Sequence, residues 1–258
     1  MRYFLCLSYD GAAFCGWQIQ PSSPSVQACL EGTLSRLLNR PVAVTGAGRT
    51  DTGVHAVNYV AHFDTDGVLP FEASDFIYKL NAMLPHGVAI ISVSEVAPDL
   101  HARFSARRRE YTYFIHRKKD PFIRNYSWLC GYPELDFEAM NQACQYLLGT
   151  HDFTCFEKTG GDNKTSICTV YDAFWKPYIP SHLQIMGSPA QAPGYWYFRI
   201  AADRFLRNMV RATVGTLIEV GRGKHSPEWV AELIKTGSRS DAGESVPGHA
   251  LFLNKVDY

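Results

Sequence analysis

The sequence predicts an α+β protein made of two halves, each a sheet with helices on one side. Segments with the two-residue period of strands alternate with segments of helical period along all 258 residues. The order of these elements in the first part of the chain is loosely repeated in the second. We therefore expect an N-terminal half over residues 1–104 and a C-terminal half over 105–258, meeting at a cleft, with enough chain to bury a substantial core.

The first half has the pattern strand, helix, strand pair, helix, strand. Residues 2–9 alternate as a strand does, and Ser25 is a typical N-cap for a helix whose apolar stripe runs from Val26 to Leu38. The other predicted elements of this half are strands over 42–44, 57–63 and 88–96 and a helix over 71–83.

The second half begins with a strand within 104–116, on which Tyr111 and Tyr113 share a face. Asp136 is a typical cap for a helix that Gly149 would terminate. The other predicted elements are strands over 167–175 and 195–200, a long helix over 205–220 and a last helix from Ser226 to Lys235.

Composition excludes several classes of protein. No apolar run approaches the roughly 20 residues that cross a membrane, and residues 1–5 lead into a strand without a cleavage signal, so a cytoplasmic protein is expected. The seven cysteines include no Cys-x-x-Cys pair, which disfavours a disulfide framework and a zinc site. We expect no metal, no small-molecule cofactor and no membrane partner.

Charge is balanced overall but unevenly distributed. A formal net charge of zero argues against nucleic-acid binding. Residues 101–125, however, carry eight Lys or Arg against two acids, and residues 199–224 carry six against two. Together on one face these segments would form a surface that follows phosphates. Either segment alone is explained as well by a solvated, charged surface.

The stretch from Gly46 to Ala56 is the strongest candidate site. It lies between two predicted strands, contains three glycines, and has Asp51 at its centre with Arg49 and His55 nearby. Glycines allow positive φ and close backbone approach. A turn or cap role is common for an Asp in such a loop. A phosphate-binding loop is disfavoured because the Gly-Lys-Ser/Thr sequence is absent.

The residues Gly-Arg-Thr-Asp-Thr-Gly-Val-His at 48–55 resemble the active-site signature of the tRNA pseudouridine synthase A family, which isomerises uridines in the anticodon stem-loop. Further segments resemble that family in the same order, at 9–18, 101–106, 205–211 and 251–258. The resemblance implies the pseudouridine synthase fold, with a mostly antiparallel sheet and an active site in a basic cleft between the halves. Gly46 replaces the family's Cys or Ser, which predicts a looser loop, and 246–250 replaces its Pro-Glu-Gly.

The resemblance also implies roles for individual residues. Asp51 is the expected nucleophile, and attack on C6 of the base, attack on C1′ of the ribose and removal of a ribose proton all stay open. Tyr111 is expected to stack on the uracil, and its hydroxyl to help remove the proton from C5. Arg211 is the expected ion-pair partner of Asp51. Arg49 is expected to fill the space left by the flipped nucleotide, and Leu251 to form an apolar wall for the uracil. The remaining expected substrate-binding residues are Arg103, Arg107, Arg108, Arg109 and Arg207.

Simpler interpretations of these residues remain open. Arg204, Arg207 and Arg211 fall on one helical stripe, which would point into a cleft or into solvent. Tyr111 would be core in most strands, a role that Tyr113 fits as well. The resemblance implies isomerisation of uridines 38, 39 and 40 of tRNA by a homodimer. The alternatives are a non-catalytic tRNA-binding or folding protein and a nucleic-acid hydrolase, which would need a second carboxylate or a metal-ligand cluster.

Overall fold

The computed structural model describes residues 1–160, 164–187 and 194–258. These residues form ten strands and six helices. In chain order they are β1 (Arg2–Tyr9), α1 (Val26–Leu37), β2 (Val44–Gly46), β3 (His55–Asp64), α2 (Ala73–Met83), β4 (Val88–Val96), β5 (Arg108–His116), β6 (Trp128–Leu129), α3 (Phe137–Gln145), β7 (Gly149–Asp152), β8 (Ile167–Pro177), α4 (Ser181–Ile185), β9 (Tyr195–Ala202), α5 (Met209–Gly221), α6 (Trp229–Thr236) and β10 (Leu251–Asp257). No helix among them has the length and apolar character needed to span a membrane.

The chain divides into two compact units. Unit 1 comprises Met1–Arg108 and Phe252–Tyr258, and unit 2 comprises Arg109–Leu251. The C-terminal residues belong to unit 1 because β10 pairs in parallel with β3, with Phe252 opposite His55. These bounds differ from those of the predicted halves 1–104 and 105–258. The division into two functional domains at that boundary stays a prediction.

Unit 1 is a sheet with the strand order β4-β1-β3-β10, and β2 also pairs with β3. β1 is antiparallel to both of its neighbours, and its Leu5 and Leu7 are fully buried. The Ser25 hydroxyl caps α1 by accepting from the backbone N–H of Ala28 at 3.3 Å. The apolar stripe of α1 is buried at Val26, Leu30 and Leu34. The predicted capped, amphipathic helix is therefore confirmed.

Unit 2 contains the strand order β5-β9-β8-β7, in which neighbouring strands are antiparallel. The short strand β6 pairs in parallel with β5. The Asp136 carboxylate caps α3, accepting from Glu138 N and Ala139 N at 2.9 Å each. Helix α3 packs on β8 and α5. Mostly antiparallel strands with packed helices in both units confirm the predicted α+β class.

Three helix starts were predicted too early, and that of α2 is Ala73 rather than residue 71. Helix α5 begins at Met209 rather than 205, because Asn208 has φ +64°, a left-handed conformation that cannot continue a helix. Arg204 and Arg207 therefore precede the helix, and the predicted stripe shared with Arg211 is wrong. Helix α6 begins at Trp229 rather than near Ser226. The prediction also lacked α4 and the strands β6, β7 and β10, and it placed β2 two residues early.

Helix α5 lies against the segment 243–245 so closely that a side chain at Gly215 has no room. A Cβ there would be 1.7 Å from the carbonyl oxygen of Glu244. We expect Gly215→Ala to lower the free energy of unfolding by about 3 kcal/mol, since overpacking outweighs the gain in helix propensity. The Cβ position of Gly32 in α1 has no described atom within 4 Å other than those of its chain neighbours and its own helix backbone. Gly32→Ala should raise the free energy of unfolding by up to about 1 kcal/mol. Urea unfolding of both variants measures the contrast, and a Gly215→Ala protein as stable as Gly32→Ala would contradict it.

His62 predicts a pH dependence of stability. Its ring is 5% exposed, and its Nδ1 accepts from the backbone N–H of Ala102 at 3.1 Å. Burial lowers the pKa of His62 to about 4, assisted by Arg2 and His101. Between pH 6.5 and 4 the unfolded chain binds more protons at this residue, so stability falls as the pH is lowered. We expect a loss on the order of 3 kcal/mol across this range.

The measurement compares urea unfolding at pH 7 and pH 4.5 for the wild type and His62→Gln. Carboxylates contribute equally to both proteins, so the difference between the curves isolates His62. His86→Gln, at an exposed histidine of unit 1, is the matched control and should follow the wild type. Parallel curves for wild type and His62→Gln would refute the assignment.

Candidate active site

Asp51 lies in the loop between β2 and β3 of unit 1. The hairpin continues past β2, since Ala47 N donates to Val60 O at 2.8 Å. Val54 N then donates to Asp51 O at 3.1 Å, and Gly53 has φ +77°. Asp51 is thus the first residue of a turn with a positive φ at its third position, which requires the glycine. The side chain of Asp51 is half-buried and that of Arg49 is exposed.

The end of β1 and the segment after it hold this loop on both sides of Asp51. The Tyr9 and Thr50 hydroxyls are hydrogen-bonded at 2.9 Å, and Trp17 N donates to Thr50 O at 3.2 Å. Beyond Asp51, Gly53 N donates to Phe14 O at 3.4 Å. The backbone on either side of Asp51 is therefore anchored to a neighbouring segment, which restricts the positions that the carboxylate can take.

Two glycines in that segment permit this close approach. A Cβ at Gly11 would be 2.2 Å from Val54 O, and a Cβ at Gly16 would be 2.3 Å from Thr50 O. Gly16 also has φ +90°. Any other residue at either position would push the two segments apart. The sequence pattern assigns no role to these glycines or to Tyr9 and Trp17. Their position in the N-terminal segment that resembles the family is the feature that could have indicated one.

Gly46 is closely packed. The rings of Trp17 and Tyr59 stack at 4.2 Å, and the Tyr59 hydroxyl donates to the carbonyl oxygen of Gly48. A Cβ at Gly46 would be 2.1 Å from the Tyr59 hydroxyl oxygen. The expectation that glycine loosens the loop at this position is wrong, because the two rings fill the space that a side chain would need.

His55 ends the loop as a buried residue. It is 1% exposed, and its ring stacks on Phe252 at 4.6 Å. Its Nδ1 accepts from Gly11 N at 3.0 Å and lies 3.1 Å from the carboxylate of Asp10. These contacts tie the end of the loop to the segment after β1 and fit a structural role for His55.

Tyr111 and Tyr113 lie on β5 of unit 2. The Tyr111 ring meets Phe205 edge-on at 5.1 Å and is almost completely buried. The Tyr113 ring is fully buried, and its hydroxyl donates to Pro247 O at 3.0 Å. Burial raises the pKa of the Tyr113 phenol well above its ordinary value. Tyr113 is therefore a core residue with a satisfied hydroxyl.

Arg211, in the first turn of α5, holds the segment that precedes β10. Its Nε donates to Val246 O at 2.7 Å, and its own carbonyl oxygen accepts from Val246 N at 3.3 Å. Both contacts, like that of Tyr113 with Pro247, use backbone atoms of 246–250. The altered residues of this segment can therefore keep these contacts whatever their side chains. Leu251 begins β10 just beyond and is buried.

Much of the positive charge counted in 199–224 is paired within unit 2. Arg199 contacts Glu110 at 3.3 Å and Asp172 at 3.6 Å, while Arg222 and Lys224 both contact Glu219. The other predicted substrate-binding cations divide by exposure. Arg103, Arg107 and Arg207 are exposed, whereas Arg108 and Arg109 are half-buried and Arg109 donates to Asp203 O at 2.7 Å. The exposed arginines are thus the better candidates for phosphate contacts.

The described residues contain no group of three or more His, Cys, Asp or Glu side chains placed to hold a metal ion. The site is therefore a carboxylate held in a rigid loop of an α+β fold. Comparison with known families shows which class of protein has such a loop. The family model described as tRNA pseudouridine synthase matches residues 5–105 and 143–258. This chain belongs to the tRNA pseudouridine synthase family.

Individual named proteins are similar to this chain over its full length. The chain is 48% identical to the tRNA pseudouridine synthase A of Bacteroides thetaiotaomicron, over 100% of this chain and 90% of that protein. It is 46% identical to the protein of the same name from Bacteroides fragilis, over 100% and 96%. The corresponding Porphyromonas gingivalis protein is 44% identical, over 100% and 97%.

Proposed function

We propose that this protein isomerises uridine to pseudouridine in tRNA, acting on positions 38, 39 and 40 of the anticodon stem-loop. The reaction breaks the N-glycosidic bond between uracil N1 and ribose C1′, turns the bound uracil, and joins C5 to C1′. C5 loses a proton and N1 gains one, so atoms and electrons balance and no redox cofactor and no external group are required.

Asp51 is the proposed nucleophile. Its carboxylate attacks an electron-poor carbon of the base or the sugar and leaves once the new bond has formed. A side chain that must act on one atom needs a fixed position more than a separate base. The bonds from Tyr9, Trp17 and Phe14 to the residues beside Asp51 support this role, since they hold the turn that presents the carboxylate.

The other proposed roles follow the family signature. Arg211 pairs with and orients the Asp51 carboxylate, and Tyr111 stacks on the uracil while it turns. Leu251 gives the base an apolar wall. Arg49, exposed in the same loop as Asp51, fills the gap left when the target nucleotide leaves the stack.

Phosphate contacts are proposed for Arg103, Arg107, Arg108, Arg109 and Arg207, which would make tRNA binding weaken as salt is raised. A homodimer is proposed as the working form, so that one copy supports the tRNA on which the other acts. The observation that carries the proposal as a whole is the match to named tRNA pseudouridine synthases over the full length of the chain.

Release of tritium from tRNA labelled at C5 of uridine tests the proposal. The purified protein should release tritium without added metal or cofactor. Mapping the product on tRNA with uridines at 38, 39 and 40 should place pseudouridine at those positions only. Stoichiometric tRNA binding without tritium release would leave the non-catalytic binding protein as the function.

A further inference from the structure

The turn at residues 100–105 of unit 1 presents one of the most exposed aromatic side chains described. Phe104 is 76% exposed, and the Arg103 guanidinium lies over its ring, 5.6 Å from the centroid. The His101 ring lies on its flank at 4.4 Å. Exposing a whole phenylalanine ring costs free energy. Such exposure therefore calls for a reason other than packing.

Several backbone groups of this turn are held by the side chains of His101 and Ser105. The His101 Nδ1 accepts from Arg103 N at 3.0 Å and from Phe104 N at 3.2 Å. The His101 backbone N–H donates to the Ser105 hydroxyl at 2.9 Å, and its carbonyl oxygen accepts from Ser105 N at 2.9 Å. The imidazole thus works as a helix-type cap that fixes where the Phe104 ring stands.

Three side chains hold the turn from the sheet side. Arg2 donates to Leu100 O at 3.1 Å, and His62 Nδ1 accepts from Ala102 N at 3.1 Å. The C-terminal Tyr258 hydroxyl donates to Ala102 O at 2.7 Å. A surface loop of this kind is usually among the less constrained parts of a protein. Here the exposed ring is preorganised, which lowers the entropy lost when a ligand binds it.

We propose that Phe104 and Arg103 form a stacking site for an unpaired base of the tRNA, and that His101 is the positioning residue that holds it. This inference rests on the proposed function for the identity of the RNA. An aromatic ring beside a guanidinium is the usual platform for an unstacked base, with the cation meeting the neighbouring phosphate.

Charge favours RNA over a second copy of the chain as the occupant. Residues 103–109 contain four arginines and no acid. A symmetric contact between two copies at the ring would bring the Arg103 guanidiniums, each of which lies over its own Phe104 ring, towards one another. A nucleic-acid backbone instead complements them.

The base bound here is not the target uridine. Along β3, His55 ends the Asp51 loop and His62 supports this turn, seven residues further on. At the strand rise this separates the two features by roughly 23 Å. The site therefore acts on tRNA affinity, and its loss should appear in KM rather than in kcat.

The experiment measures tRNA affinity at fixed salt for three Phe104 variants and one control variant. Phe104→Ala and Phe104→Leu should each weaken binding about tenfold, whereas Phe104→Trp should keep it, because only an aromatic ring stacks. Tyr78→Ala is the matched control, since Tyr78 is 74% exposed on α2 of the same unit. Its affinity should stay within about twofold of the wild type.

His101 is tested by rescue. His101→Ala should weaken tRNA binding as much as Phe104→Ala does, and His101→Asn should restore it, because the Asn side-chain oxygen accepts from the same backbone groups. Arg103→Ala should reduce the dependence of affinity on salt by about one phosphate contact, while the Phe104 variants leave the salt slope unchanged.

Each result decides between alternatives. Phe104→Leu binding like the wild type would overturn stacking in favour of a merely apolar contact. A lower mass for Phe104→Ala in light scattering, with affinity lost in step, would overturn it in favour of a contact between copies. A wild type that binds tRNA without releasing tritium, and whose binding still needs the Phe104 ring, would refute the proposed isomerase while supporting the stacking site.

Discussion

Asp51→Asn is expected to abolish tritium release, lowering kcat by about three orders of magnitude or more. Asparagine keeps the shape of the side chain but loses the charge with which the carboxylate attacks and leaves. The loop is held by backbone atoms and by the Tyr9 and Thr50 hydroxyls. Folding and tRNA affinity should therefore be close to those of the wild type.

The control is Asp66→Asn, at an exposed carboxylate of unit 1 that pairs with Arg40. Exposed ion pairs contribute little to stability, so this variant should turn over normally. Single-turnover assays with excess enzyme separate chemistry from binding. Measurable turnover by Asp51→Asn within about tenfold of the wild type would remove Asp51 from the nucleophile role.

Arg211→Lys is expected to lower kcat by about a hundredfold, with a smaller change in KM. The Arg211 Nε is already engaged by Val246 O at 2.7 Å, which fixes the plane of the guanidinium. Lysine has one nitrogen on a flexible chain, so it cannot keep this contact and orient a carboxylate as well. The proposed pairing with Asp51 requires that second contact.

Arg222→Lys is the matched control, because Arg222 follows the same helix and pairs with Glu219 at 2.7 Å through its own guanidinium. It should keep full turnover and nearly full stability. Urea unfolding shows whether loss of the Val246 contact weakens the fold. Full activity in Arg211→Lys would count against a fork-shaped pairing with Asp51, and equal losses in both variants would point to a general effect on α5.

Prediction from the sequence worked where one local pattern decides the structure. The period of two at residues 2–9 gave β1 with its observed bounds, and Ser25 and Asp136 cap the helices that they were predicted to cap. It was less accurate at α5. The apolar period continues smoothly through 205–208, and nothing in it signals that Asn208 takes a left-handed conformation.

Short elements were missed for a related reason. Strands β6 and β7 have too few residues for a period to show, and they form because a neighbouring strand offers hydrogen-bond partners. Strand β10 lies in the C-terminal segment yet pairs with β3 in unit 1. A pairing partner so distant along the chain is set by the sheet as a whole.

The candidate catalytic residues, and their resemblance to one family, could be predicted from the sequence because the signature motif is contiguous. Asp51 and its loop belong to that class. The contacts that hold the loop could not be predicted in this way. They are the hydrogen bond between Tyr9 and Thr50 and the close approach of Gly11 and Gly16 to carbonyl oxygens of the loop, and they join segments some forty residues apart. The same holds for the imidazole beneath Phe104. Such contacts depend on which backbone groups packing brings within hydrogen-bond distance, and only the folded chain specifies that.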